Sequence, residues 1–334
     1  MQLSRAQRVA VWCLTGTVAV FTVFLHSLIL LLSRRRARSS QQGAPCETIT
    51  VALSLQSVLQ QAVALLWMGL VTLDPWCMLG GAYPALVVLL LALRFSVLWS
   101  TAFLIFYYAT KLVLAPVHCY TRAQQLILRH VRPAVLLIPS AGLALCCPLL
   151  GPALHAARRA ANASQAGDCD SFAPPHLPGH AYLLLFLLLC DVLPGVVMLK
   201  GSISIAVHLA LHLRHLRSST NAFHAPKLGG ELRVIRMALA LAAVYLCFLA
   251  VALYTHYMIW QRHEHVFFLT VIFSSLYSAL CGLALLYGKE SFWKELLHLY
   301  NRTLDRYPCL TCLKVSEQTQ DPGQVPLPHL PQGV

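Results

Sequence analysis

Charge is what this chain has least of. Only 11% of its 334 residues are Asp, Glu, Lys or Arg, against about 25% in an ordinary soluble domain. Acids are scarcer still, 12 against 25 basic residues. A chain that is 58% hydrophobic and so poor in charge cannot coat a water-soluble globule. Internal repeats are lacking too, which argues against the duplicated halves of many secondary transporters. No short signal-type segment stands at the start. The first apolar run, residues 9–32, exceeds the roughly 7–15 residues of a cleavable leader, so it reads as a membrane span.

What the chain does have is apolar length. A span needs about 20 mostly apolar residues, and seven windows qualify: 9–32, 48–73, 82–109, 134–154, 181–207, 234–258 and 266–287. The expected fold is an all-α membrane protein, a seven-transmembrane helix bundle. Prolines punctuate the fourth and fifth windows (Pro139, Pro148, Pro152, Pro194), where neighbouring helices must cover the freed carbonyls. Many of the 12 cysteines (Cys13, Cys146, Cys147, Cys190, Cys247, Cys281) lie inside apolar runs and read as small hydrophobes.

The net charge of +13 is unevenly placed. Basic residues crowd four segments: "SRRRARSS" at 33–40, residues 110–133, residues 208–236 and the stretch after 288. The opposite side holds only Arg5, Arg8, Arg158, Arg159 and Arg262. The positive-inside rule therefore predicts an extracellular N-terminus and a cytoplasmic C-terminus in a multi-pass plasma-membrane protein. The expected organisation is a short outer segment at 1–8, the bundle at 9–288 and an amphipathic cytoplasmic helix at 289–305. A Pro/Gln-rich tail at 306–334 reads as disordered. In the amphipathic helix, Phe292, Leu296, Leu297 and Tyr300 are expected to share the apolar face. Cys309 and Cys312 beyond it are candidate palmitoylation sites.

"HLALHLRHLRSST" at 208–220 raises a different prospect. His208, His212 and His215 follow an H-x3-H-x2-H spacing that would share one helix face, as in the iron boxes of membrane hydroxylases. The other close histidines, His176, His180, His263 and His265, fall on the outer side. The two sets stand about 30 Å of hydrocarbon apart, and no carboxylate accompanies the inner one. The stretch reads instead as the basic inner end of the fifth helix. Nucleic acid is an unsuitable partner for a loop tethered between spans. No cofactor, metal or catalytic constellation is expected.

Ionisable residues inside spans are costly and usually functional. Arg94 and Asp191 lie roughly 18 and 15 Å below the outer starts of their spans at about 1.5 Å per residue. The depths match, so they are candidate partners across the interior, lining a ligand cavity or forming a purely structural pair. Trp99, just over one turn below Arg94, and Tyr277 are the aromatic candidates for such a cavity. Gln56, Gln60 and Gln61 read as interhelical hydrogen-bonding groups. Lys200 reads as a residue that reaches toward the inner interface.

Seven spans with a basic third inner loop describe a G-protein-coupled receptor. The rhodopsin-like signatures are missing, however: the third span ends in "FYYATKLVLAPVHCYTR" and the seventh in "YSALCGLALLYGKES". The segment 191–233 resembles the vomeronasal type-1 (pheromone) receptor family. Asp191, Gly201, Ser202 and His208 match its fifth span, and "HLRSS" with "PKLGGELR" match its inner loop. Arg94 with Thr101 is similar to its third span. "PCETITVALSLQSVL" looks like the fish olfactory class A-related branch. The chain departs from the family late in the second span, near Gln56 and Ser57. It departs again at Ala115-Pro116, where Ser-Pro is the family pattern.

The resemblance implies a chemosensory receptor with an odorant or pheromone among spans three, five, six and seven, a heterotrimeric G protein inside, and the bilayer around it. Arg122, Arg214, Arg217, Lys227 and Arg233 would face the G protein. Cys77, just before span three, and Cys169 in the second outer loop are placed for a disulfide in the oxidising exterior. Asn162-Ala163-Ser164 in the same loop is a glycosylation acceptor. The alternatives are a type 2 bitter taste receptor, which "SISIAVH" also resembles, a transporter, or a histidine-box membrane enzyme.

Overall fold

The computed structural model describes residues 5–39, 45–73, 82–112, 130–151, 182, 184–218, 229–261 and 267–305. Helix α1 runs Arg5–Ser39, α2 Pro45–Leu73, α3 Ala82–Leu112 and α4 Val131–Cys146. A π turn, Leu188–Val192, leads into α5, Leu193–Ser218. Helix α6 is Gly229–Trp260, α7 is Phe267–Gly288 and α8 is Glu290–Leu304.

Seven of these helices are long and apolar enough to cross a membrane, and this is a seven-helix multi-pass membrane protein. The spans are Val9–Arg36, Pro45–Leu73, Ala82–Lys111, Val131–Leu149, Leu184–Leu211, Arg233–Met258 and Phe268–Gly288. Each overlaps one expected window, shifted by a few residues at the ends. The fourth differs most, starting and finishing earlier than its window. The helices form a closed ring in which α7 meets both α6 and α1, with α3 packed against α2, α4 and α5.

The distribution of side chains is that of a protein dissolved in lipid. Phe24, Leu66, Leu136, Leu184, Ile203 and Leu211 point outward, while Thr50, Ser54, Gln60, Gln61, Thr101, Ser275 and Ser278 are buried. In water such an apolar surface would aggregate. In hydrocarbon it costs nothing, and the polar groups inside can hold helices together. Gln56 accepts a bond from Ser100 Oγ at 2.7 Å. Gln60 donates to Ser274 and accepts from Ser278. Gln61 has no partner among the described residues. Lys200 is exposed on α5. Small residues allow close approach: a Cβ on Gly142 would lie 2.9 Å from the Ala92 carbonyl, so α4 rests directly on the α3 backbone.

Helix α8 is amphipathic. Phe292 is fully buried, and Leu296 and Leu297 are half-buried. Tyr300, which falls between Leu296 and Leu297 around the helix, is 43% exposed. At the elbow before α8, burial pushes the Lys289 ammonium below its ordinary pKa, against the pull of Cys46 and Glu47. Its Nζ lies 4.3 Å from the centroid of the Phe292 ring.

Candidate functional site

The fifth span explains how Asp191 comes to face inward. Leu188–Val192 forms a π turn immediately before Pro194. Proline has no N–H to give. A bond from the Leu189 carbonyl to a residue five further on would fall on Pro194 and is therefore unavailable. Trp99 of α3 supplies the donor instead, its Nε1–H reaching the Leu189 carbonyl at 3.0 Å. A neighbouring helix thus covers the carbonyl that proline frees, as hydrocarbon surroundings require. Single π turns commonly mark functional sites, and this one carries Asp191.

Arg94 is 5% exposed and Asp191 is fully buried. Arg94 Nη2 donates to Asp191 Oδ1, an ion pair joining α3 to the start of α5. A third ionisable group attends it: His256 Nε2 of α6 lies 3.7 Å from Asp191 Oδ2. The Arg94 guanidinium also lies 5.1 Å over the Phe248 ring. Phe248 packs on Tyr277 at 5.3 Å and on Tyr245 at 6.3 Å, and Tyr245 meets Tyr277 edge-on at 6.2 Å. The aromatic layer so formed backs the cation on one side.

The space around this centre is of two kinds. A polar cavity of about 20 Å³ is bounded by Gln60, Arg94, Thr270, Ser274 and Ser275. That is room for one water. A crevice of about 620 Å³ opens among α1, α6 and α7, and its lining includes Phe248 and Tyr277.

Arg94, Asp191 and Tyr277 therefore gather around one centre. Trp99 does not line either space; it is spent on the α5 backbone and packs on Phe95 at 5.9 Å. Arg214 is exposed on α5. Arg233 turns toward α7, its guanidinium 6.0 Å over the Tyr287 ring. Arg217 and His212 and His215 stand in α5, with side chains outside the described residues, and His208 is half-buried. Cys77, Cys169, Asn162, Arg122, Lys227, Cys309, Cys312 and the segment 306–334 all lie outside the described residues.

Sequence reasoning missed His256, Phe248 and Tyr245. The rule that singled out Arg94 and Asp191 applies equally to His256, and to the fully buried His26, whose Nε2 donates to the Ser278 carbonyl at 3.1 Å. Tyr245, Phe248, Ala252 and Thr255 are all buried, a helical stripe in α6 that aims both rings inward. No protein-family model matches the sequence, and no curated protein matches it either.

Proposed function

We propose that this chain is a chemosensory G-protein-coupled receptor of the vomeronasal type-1 kind, seated in the plasma membrane with its N-terminus outside. One observation carries the reading: a buried cation and carboxylate join α3 to α5, with His256 of α6 beside the same carboxylate. Ionised groups at this depth are expensive in a bilayer, and they are kept where they bind or switch. A small odorant or pheromone held in the bundle near this centre changes how α3, α5 and α6 are tied. Its differential affinity for two bundle states shifts the population between them. The cytoplasmic ends of α5 and α6, with Arg214, Arg217 and Arg233, then present an altered surface to a heterotrimeric G protein. The same reading includes a Cys77–Cys169 disulfide, a glycan on Asn162 and acyl chains on Cys309 and Cys312.

The test is a ligand screen on the expressed receptor, reading nucleotide exchange on co-expressed G proteins. Ligand-dependent exchange that disappears in Asp191→Asn at equal surface expression supports the reading. Tags at the two termini accessible from the same side of intact cells would overturn it, as would solute flux through the purified protein in liposomes.

A further inference from the structure

Asp191 has two carboxylate oxygens, and they are served unequally. Arg94 Nη2 donates to Oδ1. Oδ2 is buried and has no hydrogen-bond partner among the described residues. The Arg94 Nε–H has no acceptor among them either, so the guanidinium does not grip both oxygens as a fork. A buried ionised oxygen left without a donor keeps its whole desolvation cost. His256 Nε2 of α6 stands 3.7 Å from that oxygen, just beyond hydrogen-bond distance.

The imidazole is placed to take up a proton. Its side chain keeps 17% exposure and lies close to Met258, where its span ends. Helix α6 ends where α7 begins, so this end is opposite α8. A neutral imidazole has one N–H and one lone pair, and either can face Oδ2. A protonated one has two N–H groups and a full positive charge, so it is drawn to the carboxylate whichever way the ring lies. Among the described residues, the other titratable or charged groups at this centre are Arg94 from α3, Cys146 from α4 and Cys190 beside Asp191 in the π turn. Tyr245 belongs to α6 itself and meets Tyr277 from α7. Tyr254 and Tyr257 flank His256 on α6 and are exposed. The titratable groups of α5 begin at Lys200, roughly 13 Å beyond Asp191 at about 1.5 Å per residue. Cysteine and tyrosine ordinarily ionise above about pH 8, and arginine above about pH 12. Histidine is the side chain that ordinarily changes charge between about pH 5 and 8.

We propose that His256 is a proton-operated latch: with its ring protonated, Nε2–H donates to Asp191 Oδ2 and adds α6 to the α3–α5 pair. A proton moves from water to the ring, and a charge-assisted hydrogen bond replaces the 3.7 Å approach. When the proton leaves, that bond goes with it and Oδ2 is again without a donor. Acid on the face opposite α8 thus fastens three helices at this level, where the Arg94 pair alone fastens two. As a control on signalling, the latch rests on the receptor reading above; as a device in the fold, it does not.

The experiment uses the full chain in nanodiscs without added ligand. Thermal unfolding is read at about pH 8.0 and about pH 5.5, either side of the ordinary histidine value. A group that gains a partner on protonation stabilises the fold below that value, and the effect is lost as pH rises through it. Acidification is therefore expected to move the midpoint of the parent upward by about 3 °C relative to His256→Gln. Equal responses of parent and variant to pH overturn the latch. Infrared difference spectra of the parent carrying 13C-labelled aspartate give a second readout that needs no variant. The expected change on acidification is a shifted carboxylate band with no new carboxylic-acid band. A new acid band would mean that an aspartate, not the imidazole, takes the proton, and an unchanged carboxylate band would mean that no donor arrives; either overturns the latch. Both readouts use the protein alone, so the latch can fail while the ligand screen above succeeds, and can hold while that screen fails. With a hit from the screen, G-protein exchange that responds to pH in the parent but not in His256→Gln supports control of signalling. Identical pH responses of the two proteins overturn that control.

Discussion

Arg94 and Asp191 stand 97 residues apart in the chain and share a hydrogen-bonded ion pair in the interior of the bundle. Removing one member leaves the other charged and buried, which costs about 3–5 kcal/mol. Asp191→Ala is therefore expected to lower the thermal unfolding midpoint of the purified protein sharply. Replacing both partners by leucine removes the charge problem and recovers most of the loss. A single variant as stable as the parent would show that the pair bears no structural weight.

Trp99→Phe keeps a ring against Phe95 but removes the donor to the Leu189 carbonyl. Interhelical hydrogen bonds in membranes average about 0.6 kcal/mol and reach about 1.7. The upper end is expected here, because Pro194 leaves that carbonyl no donor in its own helix. Thermal unfolding measures the loss. Restoring an N–H with Pro194→Ala in the Trp99→Phe background should recover part of it.

Tyr245 packs so closely on α5 that a Cβ on Gly195 would come within 2.4 Å of Tyr245 Cε1. Gly195→Ala forces the ring or the helix to move and should cost about 1–3 kcal/mol. Adding Tyr245→Leu, which vacates that space, should make the double variant less than additive. Strict additivity of the two losses in an unfolding series would refute the contact.

Lys289 gives a prediction of opposite sign. Burial, with repulsion from Arg36, lowers its pKa by more than Cys46 and Glu47 raise it, so the charged form is less favourable in the fold than in water. A lysine whose folded pKa lies below its unfolded one weakens the fold throughout neutral pH. That cost fades as pH rises through the folded pKa toward the ordinary 10.5. Lys289→Met, which keeps the stem, should leave the protein equally or more stable at pH 7 by thermal unfolding. A clear loss of stability would mean that the attraction to Glu47 and the Phe292 ring outweighs desolvation.

Phe292 anchors α8 by a fully buried ring. Phe292→Ala should cost about 3 kcal/mol of local stability, enough to release this short helix. Faster hydrogen exchange confined to 290–304 is the expected sign, and unchanged protection there would contradict it.

Parts of the site were legible because a bilayer makes certain residues costly wherever they fall. Arg94 and Asp191 stand out in apolar runs at matching depths, and their meeting follows from that. His256 stands out by the same rule. Trp99 shows the limit: its place below Arg94 is legible, whereas its bond to the Leu189 carbonyl is not. That destination depends on the register of α5 against α3, which a π turn resets by one residue.

By itself the sequence determined the number of spans, their approximate ends and the groups too expensive to face lipid. Transfer into hydrocarbon is a local property, summed residue by residue along about 20 positions. Only the tertiary structure decided which face of each helix turns inward. It set Phe248 against Arg94, His256 beside Asp191, and an apolar crevice along Phe248 and Tyr277. Lipid is as apolar as leucine, so hydrophobic pattern says little about rotation. Close packing and the few internal polar contacts settle it instead.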